Sequence, residues 1–229
     1  MFKPVFVLFL LAVIPVFSKE QTCTAAFLPP QGTKLTYVNY NKKGKQESTT
    51  TTEITKVETK DTAVFYTVHQ LISTGKKKND MENDLIFECK GNEFIIDMRS
   101  VLNPQQMEAY KDGTITVTSN NMFIPGDLKP GMKLKDGNLK MNIYMDPMSV
   151  TITARAFYRS VESKEEITTP AGTFTAYKLI EYIETKFAFM RYAYQSIEWY
   201  VPDLGIVRSE SHDNKGNMIG HTELIKIEK

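Results

Sequence analysis

Three acidic side chains that alternate along the chain have a spacing that suits metal chemistry. Asp80, Glu82 and Asp84 would face one side of a β-strand, because successive strand residues point to opposite faces. Three such carboxylates could hold a calcium ion, which prefers oxygen ligands. The glycine and backbone-carbonyl spacing of a calcium-binding loop is missing, so we favour a solvated strand face at this position.

The three histidines, His69, His212 and His221, are the next candidates for metal binding. If residues 213–216 form a hairpin loop, His212 and His221 lie about 13 Å apart along the ladder, too far to share one metal ion. The sequence also lacks a GxSxG elbow, an HExxH motif, a glycine-rich phosphate loop and EF-hand spacing. We therefore expect no catalytic residue, no metal ligand and no cofactor, and we interpret the protein as a non-enzyme.

Aromatic and methionine side chains between residues 182 and 200 are the best candidates for a binding site. A lipid or sugar site would use such a cluster, although the core of a barrel would use it too and does so more often. Residues 187–190, Phe-Ala-Phe-Met, are the most exposed-looking apolar segment if they form a loop, which predicts the mouth of a pocket. The candidate ligand-pocket residues are Tyr182, Phe187, Phe189, Met190, Tyr192 and Trp199.

The N-terminus has the pattern of an export signal. Lys3 provides a short basic start, and residues 4–17 are all apolar. Val16 and Ser18 are small enough for a signal peptidase groove, so we expect a signal peptide over residues 1–18. A buried helix or a retained anchor is the alternative, but the segment is short for a span and contains two prolines. The remainder, 19–229, would be a single all-β domain in the periplasm or cell envelope, without a transmembrane span.

The only two cysteines, Cys23 and Cys89, can form one bridge at most. An even count in an exported chain favours a disulfide. Cys89 alternates with Leu85 and Phe87, so we expect its sulfur on the inner face of a strand. Two unpaired thiols or a metal pair are the alternatives, although no CxxC motif or neighbouring histidine supports a metal. Polar residues 20–22 argue against a lipid anchor on Cys23.

Charge and composition exclude several classes of protein. The 28 Lys and Arg against 27 Asp and Glu leave a formal net charge of +1. A protein that binds nucleic acid or anionic lipid normally has a basic surplus, so we expect no nucleic acid partner. A hydrophobic fraction of 41% with 11% aromatic residues is too high for intrinsic disorder.

The elements that position these residues are predicted to be strands. Residues 114–118 and 150–154 alternate with period two, and residues 62–74 and 174–187 are long segments rich in Val, Ile, Tyr and Phe. Strands of that length bend around a core more readily than they stay flat. Residues 48–59 are crowded with threonine, which is typical of an edge or solvent-facing strand.

One short helix interrupts the strands. Asn103 could cap a helix whose first residue is Pro104 and which Gly113 ends. About eleven strands follow one another through short loops, without the βα alternation of a parallel sheet. We therefore predict an all-β fold, an antiparallel curled sheet or half-open barrel of about eleven strands with one short helix.

Motifs in the second half of the chain resemble the TapB-like family of exported Bacteroidota proteins, a family of unknown function. The residues that carry the resemblance are Thr169-Pro-Ala-Gly-Thr-Phe174, Tyr177-Lys178, Trp199-Tyr-Val-Pro202, Gly205-Ile-Val-Arg-Ser-Glu210 and Asn214-Lys-Gly216, with Gly32-Thr-Lys-Leu-Thr-Tyr37, Lys43-Gly-Lys45, Cys89 and Asp97-Met98 in the first half. The resemblance implies an all-β exported protein, related in shape to the half-open barrels that ferry lipoproteins. It brings no catalytic residues with it.

These observations lead to two hypotheses of function. The first is non-enzymatic binding of an apolar or amphiphilic ligand, a hydrophobic small molecule or lipid, in the curved sheet. The alternative is a scaffold that presents a sheet edge or face to an envelope protein, with strand 48–59 as its natural edge.

Overall fold

The computed structural model describes Cys23 and residues 27–75, 80–98 and 113–229. The predicted signal peptide over residues 1–18 and the predicted helix from Asn103, apart from Gly113, lie outside this part of the chain. The strands are β1 Lys34–Asn41, β2 Gln46–Lys60, β3 Ala63–Ser73, β4 Met81–Lys90, β5 Glu93–Ile96, β6 Thr114–Asn120, β7 Met122–Pro125, β8 Gly137–Met145, β9 Met148–Thr169, β10 Gly172–Phe187, β11 Met190–Val201, β12 Gly205–His212 and β13 Met218–Glu228.

All thirteen strands of the described residues belong to one antiparallel sheet, which confirms the predicted all-β curled sheet. The count exceeds the expected eleven. β5 and β7 have four residues each, and such short strands leave little alternation to read in the sequence. Among the described residues, no helix has the length and apolar character needed to cross a membrane.

The two edges of the sheet come together. The strand order is β6-β8-β9-β10-β11-β12-β13-β1-β2-β3-β4-β5-β7, so the edge strands β6 and β7 are consecutive in sequence and separated by one residue. Met122 of β7 packs on Gly137 of β8 so closely that a Cβ at Gly137 would collide with it. The same Cβ would lie 3.0 Å from the sulfur of Met98. A glycine is therefore required where the sheet curls into a nearly closed barrel.

The threonine-rich strand is not an edge, and this expectation was wrong. β2 pairs with β1 from Gln46 to Glu53 and with β3 from Thr49 to Lys60, so that Thr50, for example, lies between Tyr37 and Ile72. Threonine content reflects β-propensity, which distinguishes strand from helix but does not say where in a sheet a strand lies.

Both faces of the sheet are covered at its centre. Trp199 and Tyr200 are neighbours on β11 and point to opposite faces, yet they are only 8% and 4% exposed. We call the face that carries Tyr200 the inner face and the face that carries Trp199 the outer face. The long β9–β10 hairpin covers the outer face, because it bends at two register shifts and the N–H of Ala171 at its turn donates to the carbonyl oxygen of Leu224 at 3.3 Å.

The N-terminal segment packs inside the barrel. Phe27 stacks on Phe94 of β5 at 4.7 Å and contacts the ring of Tyr200 at 4.8 Å between centroids. A disulfide joins Cys23 to Cys89 with a Cα–Cα distance of 5.6 Å, and Cys89 is fully buried in the same cluster. The predicted bridge and the predicted inner position of Cys89 are both confirmed.

Candidate functional site

The six candidate pocket residues lie on the β10–β11 hairpin but do not share one face. The pairing of this hairpin is regular, from Phe187 opposite Met190 at the turn to Tyr177 opposite Tyr200 at the base. Because opposite residues share a face and strand residues alternate, the set divides in two. Phe187, Met190 and Tyr192 are on the inner face, Tyr182 and Trp199 are on the outer face, and Phe189 is in the turn.

Trp199 holds the bent hairpin in place. Its Nε1 donates a hydrogen bond of 2.8 Å to Oε1 of Glu165 on β9, and Oγ of Ser163 donates to Oε2 of the same carboxylate at 2.7 Å. These two bonds hold the pKa of Glu165 below its usual value. The Nζ of Lys178 and the guanidinium of Arg208 each lie 5.8 Å from the indole ring. With its ring covered and its N–H satisfied, Trp199 is a packing residue.

Tyr182 belongs to an exposed aromatic cluster on the outer face. Its ring lies 6.0 Å from that of Phe157 and 6.1 Å from that of Tyr158. Tyr158 is 75% exposed and occupies the register shift of β9 with a φ of +53°. The guanidinium of Arg155 covers the ring of Phe157 at 4.9 Å. This cluster could contact a partner but does not enclose a ligand.

The hairpin tip, defined here as residues 186–191, is the most exposed apolar part of the candidate set. A turn of two residues, Ala188 and Phe189, joins β10 to β11. Phe189 is 95% exposed and Met190 is 55% exposed, and Tyr192 just below the tip is 60% exposed. The predicted apolar loop at 187–190 is thus a tight turn that projects into solvent.

A polar cluster occupies the inner face below the tip. Arg159 of β9 has a side chain that is only 3% exposed, and its Nε donates to Oε2 of Glu181 on β10 at 2.7 Å. The Nη1 of Arg159 donates to the carbonyl oxygen of Lys135 at 2.7 Å and to that of Phe123 on β7 at 3.3 Å. One buried guanidinium therefore connects β9 and β10 to the far edge of the sheet.

Glu198 adds a second carboxyl group to this cluster. Burial raises the pKa of Glu198 to about 8, the nearby charge of Glu181 adds to the rise, and Arg159 opposes it. Ser196, opposite Glu181 in the ladder, places its Oγ 3.5 Å from Oε1 of Glu198. Burial and the same two carboxylates raise the pKa of Tyr194 to about 12. At pH 7 the Glu198 carboxyl is mostly protonated, and it can donate a hydrogen bond as well as accept one.

The sequence pattern did contain a signal for this inner polar cluster, which comprises Arg159, Glu181, Ser196 and Glu198. Glu181 lies between Leu179 and Ile183 in the same alternation phase, so a charged residue occupies an inward-facing position of an apolar strand. Glu198 lies in the same way two residues before the buried Tyr200. The alternation pattern could not identify Arg159 as an inward-facing residue, because the register shift of β9 changes the alternation next to it.

The histidines and the alternating carboxylates lie away from the inner polar cluster. His69 Nδ1 is 2.9 Å from Oδ1 of Asp84, and Oδ1 of Asp80 accepts a hydrogen bond from Ser73. His212 Nε2 is 2.9 Å from Oε2 of Glu210, which raises the pKa of His212. In the part of the chain that the structure describes, no three His, Cys, Asp or Glu side chains are grouped as they would be around a metal ion.

The register of the last hairpin differs from the one that a loop of residues 213–216 implies, in which His212 is opposite Asn217 and His221 is opposite Arg208. His212 pairs with Met218 and His221 pairs with Glu210, because the ladder shifts between Ser211 and His212. His221 instead stacks on Tyr40 with ring centroids 4.7 Å apart. Periodicity alone could not reveal this shift.

This architecture defines a class of proteins in which one antiparallel sheet curls into a nearly closed barrel around an N-terminal segment. The chain belongs to the DUF3108-like family, whose family model matches residues 30–224. A comparison with curated proteins gave no match.

Two solved structures share the fold. One, from Bacteroides fragilis, is described as an exported protein with a YmcC-like fold, and it matches with a TM-score of 0.69 at 20% identity over 90% of this chain and 100% of its own. The other, from Parabacteroides distasonis, is described as a lipoprotein, and it matches with a TM-score of 0.69 at 22% identity over 90% of this chain and 99% of its own. At these identities the likeness establishes the fold.

Proposed function

We propose that this protein is an exported, non-enzymatic binding protein that holds an amphiphilic ligand on the inner face of β10 and β11. The observation that carries the proposal is the continuity of this face. Exposed apolar side chains at the top, Met190 and Tyr192, lead through Tyr194 to the inner polar cluster at the level of Glu181. From Phe187 to Glu181 the face extends six residues, which is about 20 Å of strand.

The chemistry of the two ends suits a molecule with an apolar chain and a polar head. The rings and the thioether near the tip offer dispersion contacts and little hydrogen bonding. At the other end, the protonated Glu198 carboxyl and the hydroxyl of Tyr194 can donate to a head group, while the Arg159–Glu181 pair is fixed by its own hydrogen bonds. A long-chain alcohol, ester or monoacyl lipid has this polarity.

Several observations support export to the cell envelope. The signal-like segment over residues 1–18 and the disulfide both suit an oxidising compartment, and the two structural neighbours are described as exported and as a lipoprotein. Membership of the narrower TapB-like group is part of this proposal, and it rests on the motifs of residues 169–216.

A second candidate function has one specific observation in its favour. The outer aromatic cluster of Phe157, Tyr158 and Tyr182 is exposed enough to serve as a contact surface for an envelope protein. Since β2 lies inside the sheet, such a scaffold would use the outer face rather than that strand.

Binding of a fluorescent fatty acid tests the ligand proposal. The protein purified from a bacterial periplasm is titrated with cis-parinaric acid, and native mass spectrometry identifies any molecule that co-purifies. Tyr192→Ser, which removes an exposed inner tyrosine, should weaken binding of the probe about tenfold. Tyr144→Ser is the matched control, because Tyr144 is 54% exposed on the opposite face of β8. Equal binding by both variants, or no binding by the wild type, contradicts the proposal.

A further inference from the structure

The tip of the β10–β11 hairpin has two features that folding alone does not require. Two-residue turns between strands favour Asn or Gly, because these residues tolerate a positive φ. Here Ala188 adopts a φ of +51°, and Phe189 beside it is 95% exposed to water. The positive φ of Ala188 and the exposure of Phe189 both lower the stability of the isolated chain. A surface that the tip contacts would account for them.

The apolar side chains at this end of the sheet form a group. Met190 and Tyr192 follow Phe189 and are both more than half exposed. Phe187 pairs with Ile152 of β9, and Met148 lies four residues further out on the same face with an exposure of 62%. Scattered exposed apolar residues need no explanation, but a contiguous group at one end of a protein marks a contact site.

Two cations form the base of the tip. Lys186 and Arg191 pair across the hairpin one residue before the apolar pair of Phe187 and Met190, and both are exposed. Both also contact Glu184, at 3.1 Å and 2.5 Å, and this contact orients them and leaves the tip with one net positive charge.

Further lysines extend from neighbouring turns at the same end of the sheet. The β1–β2 turn carries the exposed residues Lys42, Lys43 and Lys45 without an acidic residue among them, and the β12–β13 turn carries Lys215 together with Asp213. The net charge of the whole chain, +1, does not describe the local charge of the β1–β2 turn. A local excess of lysine attracts an anionic surface.

We propose that the β10–β11 tip docks on an anionic phospholipid bilayer. Phe189 and Met190 are buried at the boundary between the head groups and the acyl chains, and Lys186 and Arg191 lie at the phosphates. With a strand rise of about 3.3 Å per residue, Phe189 reaches roughly 7–10 Å beyond these cations, which matches the depth to which interfacial elements bury their apolar face. Apolar insertion and lysine attraction together give stable but reversible attachment. This docking goes beyond the proposed ligand binding and does not depend on it.

Vesicle binding with a fluorescent reporter tests the docking. Phe189→Trp adds an exposed indole to a protein whose own tryptophan, Trp199, is buried and gives a constant background. Vesicles of phosphatidylcholine with phosphatidylglycerol should shift its emission to the blue, and brominated acyl chains should quench it. Tyr158→Trp is the control, because Tyr158 is exposed on the outer face away from the tip. An unshifted Phe189→Trp spectrum, or an equal shift in both variants, overturns the proposal.

Sedimentation with the same vesicles gives the second measurement. The variant Phe189→Ser should bind about tenfold more weakly than the wild type, while Tyr158→Ser should bind as the wild type does. Binding should also fall when the phosphatidylglycerol is omitted or the salt concentration is raised. Undiminished binding by Phe189→Ser, or equal binding to pure phosphatidylcholine, overturns the proposal, and neither result bears on the parinaric acid assay.

Discussion

Replacing Glu198 by glutamine removes the proton-binding group of the inner polar cluster and leaves its shape almost unchanged. In the folded protein the pKa of Glu198 is raised from 4.5 to about 8, chiefly by burial and then by the charge of Glu181. The native state therefore binds this proton more tightly than the unfolded state does. Between pH 5 and pH 8 the native state must give up a proton that the unfolded state has already lost, so Glu198 lowers the stability of the wild type as the pH rises.

The size of the effect follows from the shift in pKa. At about 1.4 kcal/mol per unit, the full rise corresponds to about 5 kcal/mol between pH 4 and pH 9. The carboxyl group keeps some access to water and has Ser196 within 3.5 Å, so we expect about half of that value to be realised. Glu198→Gln should therefore match the wild type at pH 4.5 and exceed its free energy of unfolding by about 2 kcal/mol at pH 9.

Urea denaturation of both proteins at a series of pH values measures this difference. Other groups titrate too, including His212, whose pKa is raised by Glu210, and Glu165, whose pKa is lowered by Trp199. They cancel when the two proteins are subtracted at each pH. Glu82→Gln, at an exposed position of β4, is the control and should show a flat difference. A flat difference for Glu198→Gln, or one that falls with pH, would refute the reasoning.

Two further substitutions test whether Arg159 stabilises the barrel and whether the backbone conformation of Ala188 lowers the stability of the protein. Arg159→Met leaves Glu181 buried without its cation and should lower the free energy of unfolding, measured in urea, by about 3 to 5 kcal/mol. Arg155→Met, on the exposed side of β9, is the control and should lower it by less than about 1 kcal/mol. Similar losses in the two variants would contradict the role given to Arg159. Ala188→Gly removes the strain of the positive φ and should raise the stability by about 1 kcal/mol, seen as a higher midpoint of thermal unfolding. Ala193→Gly, inside β11, is the control and should lower the midpoint. A lower midpoint in both variants would contradict strain at the turn.

Local patterns in the sequence predicted the parts of this fold that depend on neighbouring residues. The hairpin loop at residues 213–216 was predicted, and the turn there ends at Gly216, which has a φ of +80°. The disulfide was predictable as well, because a chain with only two cysteines has a single possible pair.

The candidate site was predicted less well. The aromatic residues predicted between 182 and 199 lie on one hairpin, but strand alternation places Tyr182 and Trp199 on the face opposite Phe187 and Met190. The inner polar cluster was missed, because Arg159 and Glu181 meet only where the register of β9 and β10 shifts.

The sequence by itself determined that the chain forms strands, that a turn falls at residues 213–216 and which two cysteines can pair. These properties follow from backbone sterics and side-chain alternation over a few residues. Only the tertiary structure decided that β2 lies inside the sheet, that β6 and β7 meet at Gly137, and that Arg159 reaches Phe123 and Lys135 from the middle of β9. The physical reason is that pairing order, bulges and barrel closure depend on contacts between residues far apart in the chain, which the local pattern of either partner does not specify.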